Sequence, residues 1–112
     1  MKVQVIKKKE ARNFMEGLEH CREYLQTNKI VFGTSEVLPG QRGAKDPGHP
    51  DSHEVFFIVK GNVLLFVEER DEYYELDEGD CILIPEGVSH TLINISEEKA
   101  LVAWSMAPPA KD

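Results

Sequence analysis

Apolar and polar positions along the chain fall into short runs of strand length, each closed by turn residues. Val55-Phe56-Phe57-Ile58-Val59 is β-branched and aromatic and stops at Lys60-Gly61. Val63-Leu64-Leu65-Phe66-Val67 is apolar at every position, the pattern of a strand buried on both faces. Tyr73 to Leu76 is a short strand before the turn Asp77-Glu78-Gly79-Asp80. Cys81-Ile82-Leu83-Ile84 follows and is broken by Pro85-Glu86-Gly87, after which Ser89 to Asn94 alternates as another strand. Ile30 to Leu38, closed by Pro39-Gly40, and Ala100 to Met106, closed by Ala107-Pro108-Pro109, complete the set. The pattern spells an all-β barrel or sandwich.

The first thirty residues read differently. Val3 and Val5 alternate with Lys2 and Gln4, as in a short edge strand. Phe14, Leu18, Cys21 and Leu25 stand close to three-and-four spacing. That spacing predicts a short N-terminal helix from about Ala11 to His20, weakened by Gly17. Tyr24-Leu25-Gln26 can instead open the first barrel strand, so the boundary stays open.

A chain of 112 residues is a single domain, 41% hydrophobic and 29% charged. Twenty acids against thirteen Lys and Arg give a net charge of −7, which argues against nucleic acid or an anionic membrane surface as partner. Glu68 to Glu72 and Ser96 to Lys99 read as solvated hairpin tips. Cys21 and Cys81 have no metal-like spacing, and the apolar stretch Met1 to Ile6 is too short for a signal peptide. A cytoplasmic protein with two free thiols is expected, Cys81 packing as a small buried hydrophobe.

The chemistry concentrates in two stretches. His90 follows the tight turn Pro85-Glu86-Gly87, and His49 precedes Glu54 at the head of a strongly apolar strand. Glu54 either faces solvent or meets a partner; if inward, it shares its face with Phe56 and Ile58, and a carboxylate above an apolar floor makes sense if it meets a cation. Imidazole with carboxylate suits iron, manganese, zinc, nickel or copper.

Gly79, Pro85, Gly87, His90 and Asn94 stand at the spacing of the second cupin motif, and His49, Glu54 and Gly61 resemble the first. In that register Pro47 falls where the first motif usually has its first histidine. A second register, counted from Gly43, makes His49 the first histidine and places Asp51 at the second; the strand from Glu54 to Gly61 anchors the former better. The resemblance covers about residues 30 to 106 and implies a double-stranded β-helix, or jelly-roll barrel, over 30–107. Residues 1–29 would form a strand/helix segment packing on it, and 108–112 a tail.

It also implies a divalent transition metal held by His49, Glu54 and His90, with Asp46 or Asp51 as an additional oxygen ligand. His53 alternates to the opposite face and is not expected to join them. Phe32, Phe56 and Trp104 are candidates for lining a pocket above the metal, or for ordinary core packing. The activity implied is that of a small metal-binding cupin acting on a small oxygen-bearing metabolite, of dioxygenase, isomerase, decarboxylase or lyase type. The alternative is a non-enzymatic small-ligand binding or sensing module. Val63 to Val67, with Val55, Phe57 and Val59 outward, leave an apolar face that a second copy would cover, so a homodimer is expected.

Overall fold

The computed structural model describes residues 1–110, and in them nine strands carry the fold. These are β1 (Arg12–Glu16), β2 (Glu19–Gln26), β3 (Val31–Val37), β4 (His53–Lys60), β5 (Val63–Val67), β6 (Glu72–Leu76), β7 (Cys81–Ile84), β8 (Thr91–Asn94) and β9 (Ala100–Ala107). Single 3-10 turns occupy Lys8–Glu10 and Glu68–Arg70. One sheet has six strands in the order β1-β2-β3-β9-β4-β7, and the other has three in the order β6-β5-β8. This is the all-β double-stranded β-helix expected.

The core lies between the sheets. On β4 the inward positions are Glu54, Phe56 and Ile58, and on β5 they are Val63, Leu65 and Val67, as period-two alternation requires. Val37, Ile84, Leu92 and Val102 close the same cluster. Each such side chain contributes about 1.5–3 kcal/mol by leaving water, so the apolar floor is the main source of cohesion. Asn94 is fully buried within it as a structural polar group. Its amide donates to the carbonyls of Val37 and Glu98, both at 2.8 Å, and its oxygen accepts from Ser96.

The N-terminal helix is not formed. Residues 12–26 make an antiparallel hairpin instead, with Phe14 opposite Cys21 and Glu16 opposite Glu19. Gly17 supplies the turn at φ +61°, and a Cβ there would press on the backbone of Ala44 at 2.8 Å. Four apolar residues at helical spacing fit a strand pair equally well once β3 offers its edge to β2, and that pairing is non-local. Met1 to Ile6 forms no strand. Of the tail expected over 108–112, Lys111 and Asp112 lie outside the described residues.

Two expectations about faces also change. Cys81 is exposed at the start of β7, an edge strand whose inward positions are Ile82 and Ile84. The strands β4 and β5 belong to different sheets, so Val55, Phe57 and Val59 do not continue the outer face of β5. On β5 the outward Leu64 and Phe66 are half-buried, and Phe66 stacks on Tyr73 with ring centroids 4.4 Å apart. The outer face of β4 keeps Phe57 and Val59 exposed, with Leu83 beside it on β7.

The stretch before β4 positions the site. It is irregular in sequence but runs antiparallel to β8 and the residues just before it. Asn94 N–H donates to Gln41 O at 2.9 Å, Gly43 N–H to Leu92 O at 2.9 Å, and Asp46 and His90 exchange backbone bonds of 2.8 and 2.9 Å. A polar loop thereby becomes an extra edge on the three-stranded sheet, and Asp46 is fixed beside His90.

Candidate metal centre

Four side chains meet where the head of β4, the turn before β8 and the paired loop converge. Glu54 Oε1 lies 3.0 Å from His90 Nε2, Asp46 Oδ2 lies 3.7 Å from His90 Nε2, and His49 Nε2 lies 3.6 Å from Asp46 Oδ1. Ligand atoms of Asp46, His49 and Glu54 all fall within 4.8 Å of one another. Glu54 and His90 are buried, while Asp46 and His49 are partly exposed at the cavity wall.

Each group is held from behind. The His90 ring nitrogen Nδ1 lies 3.0 Å from the Val88 carbonyl; an N–H there donates to it and leaves Nε2 with its lone pair facing the cavity. Phe56 meets the His90 ring edge-on, with centroids 5.5 Å apart. Gly48 N–H donates to Asp46 Oδ1 at 2.8 Å, and Gly87 N–H to the His49 carbonyl at 2.9 Å. Gly48 itself has φ +86°, and a Cβ there would sit 2.8 Å from Val88 O, so the ligand loop lies directly on the turn that delivers His90.

Glu54 Oε1 and His90 Nε2 are buried atoms without a hydrogen-bond partner despite their 3.0 Å approach. Leaving such atoms unsatisfied costs about 1–3 kcal/mol apiece, more for a charge, so the arrangement calls for a cation or a proton between them. Burial by itself depresses the His90 imidazole, but Glu54, the Val88 carbonyl and Asp46 outweigh it and raise the pKa above the usual histidine range. Every oxygen and nitrogen here suits a divalent transition metal, and the set fits one.

Of the residues expected at the site, His49, Glu54, His90 and Asp46 come together, and Asp51 stays exposed in the turn before β4. Pro47, at the place of the usual histidine, is exposed, and its neighbour Asp46 faces the centre. His53 points outward and pairs with Glu86. Phe56 and Trp104 line a cavity of about 560 Å³ above the centre. Trp104 Nε1–H donates to Ser35 Oγ at 3.0 Å, which fixes the indole. Phe32 lies on the other face of β3, 37% exposed and beside Tyr24, because Val31, Gly33 and Ser35 take the inward positions.

Glu16, Glu19 and Cys21, not expected at the site, line the same cavity from the β1–β2 hairpin. Burial pushes the Glu19 carboxyl up to about 7, with Glu16, Glu54 and Asp46 adding to it and the Ser35 hydroxyl opposing. Glu16 is raised as well, first by burial and then by Asp46 and Glu54. The signal available was the alternation Glu19-His20-Cys21, which puts Glu19 and Cys21 on one strand face.

Comparison with known proteins agrees with the fold. Residues 33–106 match the profile of a family described as "Cupin domain". An uncharacterized protein of Acanthamoeba polyphaga mimivirus is 35% identical over 63 residues, which is 55% of this chain and 39% of that protein. This chain therefore spans well under half the length of that relative. The structure of KdgF from Halomonas sp. superposes with a TM-score of 0.81 at 17% identity, covering 99% of this chain and 98% of that one. A predicted oxalate decarboxylase from Thermotoga maritima does so at 0.78 and 14%, covering 95% of this chain and 100% of that one. At these identities the likeness is one of fold.

Proposed function

The chain belongs to the cupin domain family, and from that premise we propose that it is a mononuclear metal protein acting on a small oxygen-bearing metabolite. The metal would be a divalent transition ion, Fe, Mn, Zn, Ni or Cu, held by His49, Glu54 and His90, with Asp46 as the additional oxygen. One observation carries the reading: two buried ligand atoms, Glu54 Oε1 and His90 Nε2, converge at 3.0 Å with neither hydrogen-bonded.

Lewis acidity toward a chelated oxygen is the chemistry such an ion supplies when bound. The chain's own residues do the rest. Val88 sets the His90 tautomer, Gly48 N–H orients Asp46, and Phe56 and Trp104 add an aromatic wall to the cavity. A volume of about 560 Å³ suits a small metabolite. Dioxygenase, isomerase, decarboxylase and lyase chemistry all start from a chelated oxygen, and the Thermotoga protein of like fold is described as a predicted decarboxylase. We also propose a cytoplasmic homodimer: both cysteines are free, and Phe57, Val59 and Leu83 leave an apolar outer face.

Metal analysis of the purified protein tests it. About one divalent transition metal per chain is expected, and His90→Ala should lose it while keeping the β-sheet circular dichroism. A folded His90→Ala protein with undiminished metal would remove His90 from the ligand set, and a metal-free wild type that takes up no added ion would leave only a ligand-binding module.

A further inference from the structure

Glu16 and Glu19 face each other directly across the β1–β2 hairpin, and Cys21 follows on the same face as Glu19. Like charges opposite one another in a strand pair destabilise it unless something sits between them. Ligand atoms of Glu16, Glu19 and Cys21 all lie within 4.8 Å of one another. Glu19 is only 7% exposed and its side chain lines the cavity, with the Ser35 hydroxyl and the Cys21 thiol beside its carboxylate and no ion pair to it among the described residues. Its carboxylate packs over Gly43, where a Cβ would leave no room. The nearby Ser35 hydroxyl is engaged by Trp104 at 3.0 Å and by Cys21 Sγ at 3.4 Å.

We propose that Glu16, Glu19 and Cys21 form a second cation site in this cavity, taking a divalent transition metal of borderline softness such as Zn²⁺ or Co²⁺. Charge balance allows it. Five carboxylates, Glu16, Glu19, Glu23, Asp46 and Glu54, line the cavity around one expected dication. The cavity's arginine, Arg12, is engaged by Glu23 at 3.3 Å. One dication therefore leaves Glu16 and Glu19, which are neutralised either by protons, as their raised pKa values reflect, or by a second dication.

The donor set selects the ion. One sulfur and two carboxylate oxygens suit zinc, cobalt or copper and disfavour magnesium and calcium, which prefer oxygen alone. Zinc bonds of about 2.3 Å to sulfur and 2.0 Å to oxygen need ligand separations of roughly 3.5 Å in a tetrahedral site. The observed spread requires small side-chain shifts, and Glu16, exposed at the rim, has freedom to make them. The remaining position opens into the cavity. Without a cation, burial holds the Cys21 thiol protonated, its pKa pushed up to about 12. Binding therefore releases the thiol proton, and below pH 7 that of Glu19, to the buffer.

Cobalt titration of the chelator-stripped, full-length protein tests the proposal, with Cys81→Ser present throughout so that the exposed thiol adds no signal. Two equivalents of Co²⁺ per chain are expected, one of them producing the near-ultraviolet thiolate-to-cobalt charge-transfer band. Adding Cys21→Ser should abolish the band and the second equivalent. Glu19→Gln, which keeps the sulfur, should weaken that equivalent at least tenfold. His90→Ala should remove the other equivalent and keep the band, which separates this site from the one under His90. Binding of one equivalent without the band, or a band that survives Cys21→Ser, overturns the proposal.

Discussion

Glu54 on β4 and His90 at the entry to β8 approach to 3.0 Å in the interior, and neither approaching atom has a hydrogen-bond partner. Strand register sets this distance: Glu54 pairs with Ile84 and with Met106, while His90 is tied to Asp46 by a backbone bridge. The pair is satisfied only when a cation or a proton joins it. Glu54→Gln keeps the shape and removes the charge. Metal affinity should then fall by more than the roughly 10–100-fold typical of losing an outer partner. The chelator-treated variant should melt lower than chelator-treated wild type at mildly acidic pH, since the protonated His90 imidazole loses its buried carboxylate partner. Competition titration against a chromophoric chelator and thermal melts in EDTA check both.

The pH dependence of stability should carry the mark of Glu19. Its pKa rises from 4.5 in the ordinary carboxyl to about 7 in the folded protein, chiefly through burial. Between these values the folded chain binds more protons than the unfolded one, so metal-free stability falls as pH rises from about 5 toward 7.5 and levels off above. At pH 8 the ionised buried carboxylate costs on the order of 3 kcal/mol. Glu19→Gln should raise the melting temperature at pH 8 by roughly 10 °C and change it little at pH 4.5. A shift of equal size at both pH values would show that Glu19 does not titrate in this range.

The outer face of β4 offers the best surface for a second copy. Phe57 is 44% exposed and Val59 46%, and Leu83 on β7 is 54% exposed next to them. Covering a few hundred Å² of such surface at roughly 25 cal/mol per Å² offsets association costs only if both copies contribute. A self-complementary contact does that. Light scattering of the wild type should give twice the chain mass at micromolar concentration. Phe57→Glu should return one chain mass with an unchanged circular dichroism spectrum; a dimer that persists places the contact elsewhere.

Which parts of this protein its sequence determined follows from which forces are local. Alternation in Val55 to Val59 and Val63 to Val67, and the turn at Pro85-Glu86-Gly87, depend on residues a few positions apart, and those strands form as read. The cupin resemblance, not a local force, marked His49, Glu54 and His90, on two stretches far apart in the chain that the fold brings to one place. The first thirty residues were not legible in this way. Phe14, Leu18 and Cys21 satisfy a helix or a hairpin, and only the offer of the β3 edge selects the hairpin. That choice also decides function, because side-chain direction follows the period of the element. On a helix Glu16 and Glu19 read as a solvated face; on paired strands they oppose each other inside the cavity beside Cys21. Asp46 is the same lesson in a loop. Nothing between Pro39 and Pro50 favours a strand, and Asp46 reaches the centre through two backbone bonds to His90, forty-four positions away. Phe32 and Cys81 fell on the wrong side for the converse reason, since composition says that a residue prefers burial but only register says which face is buried.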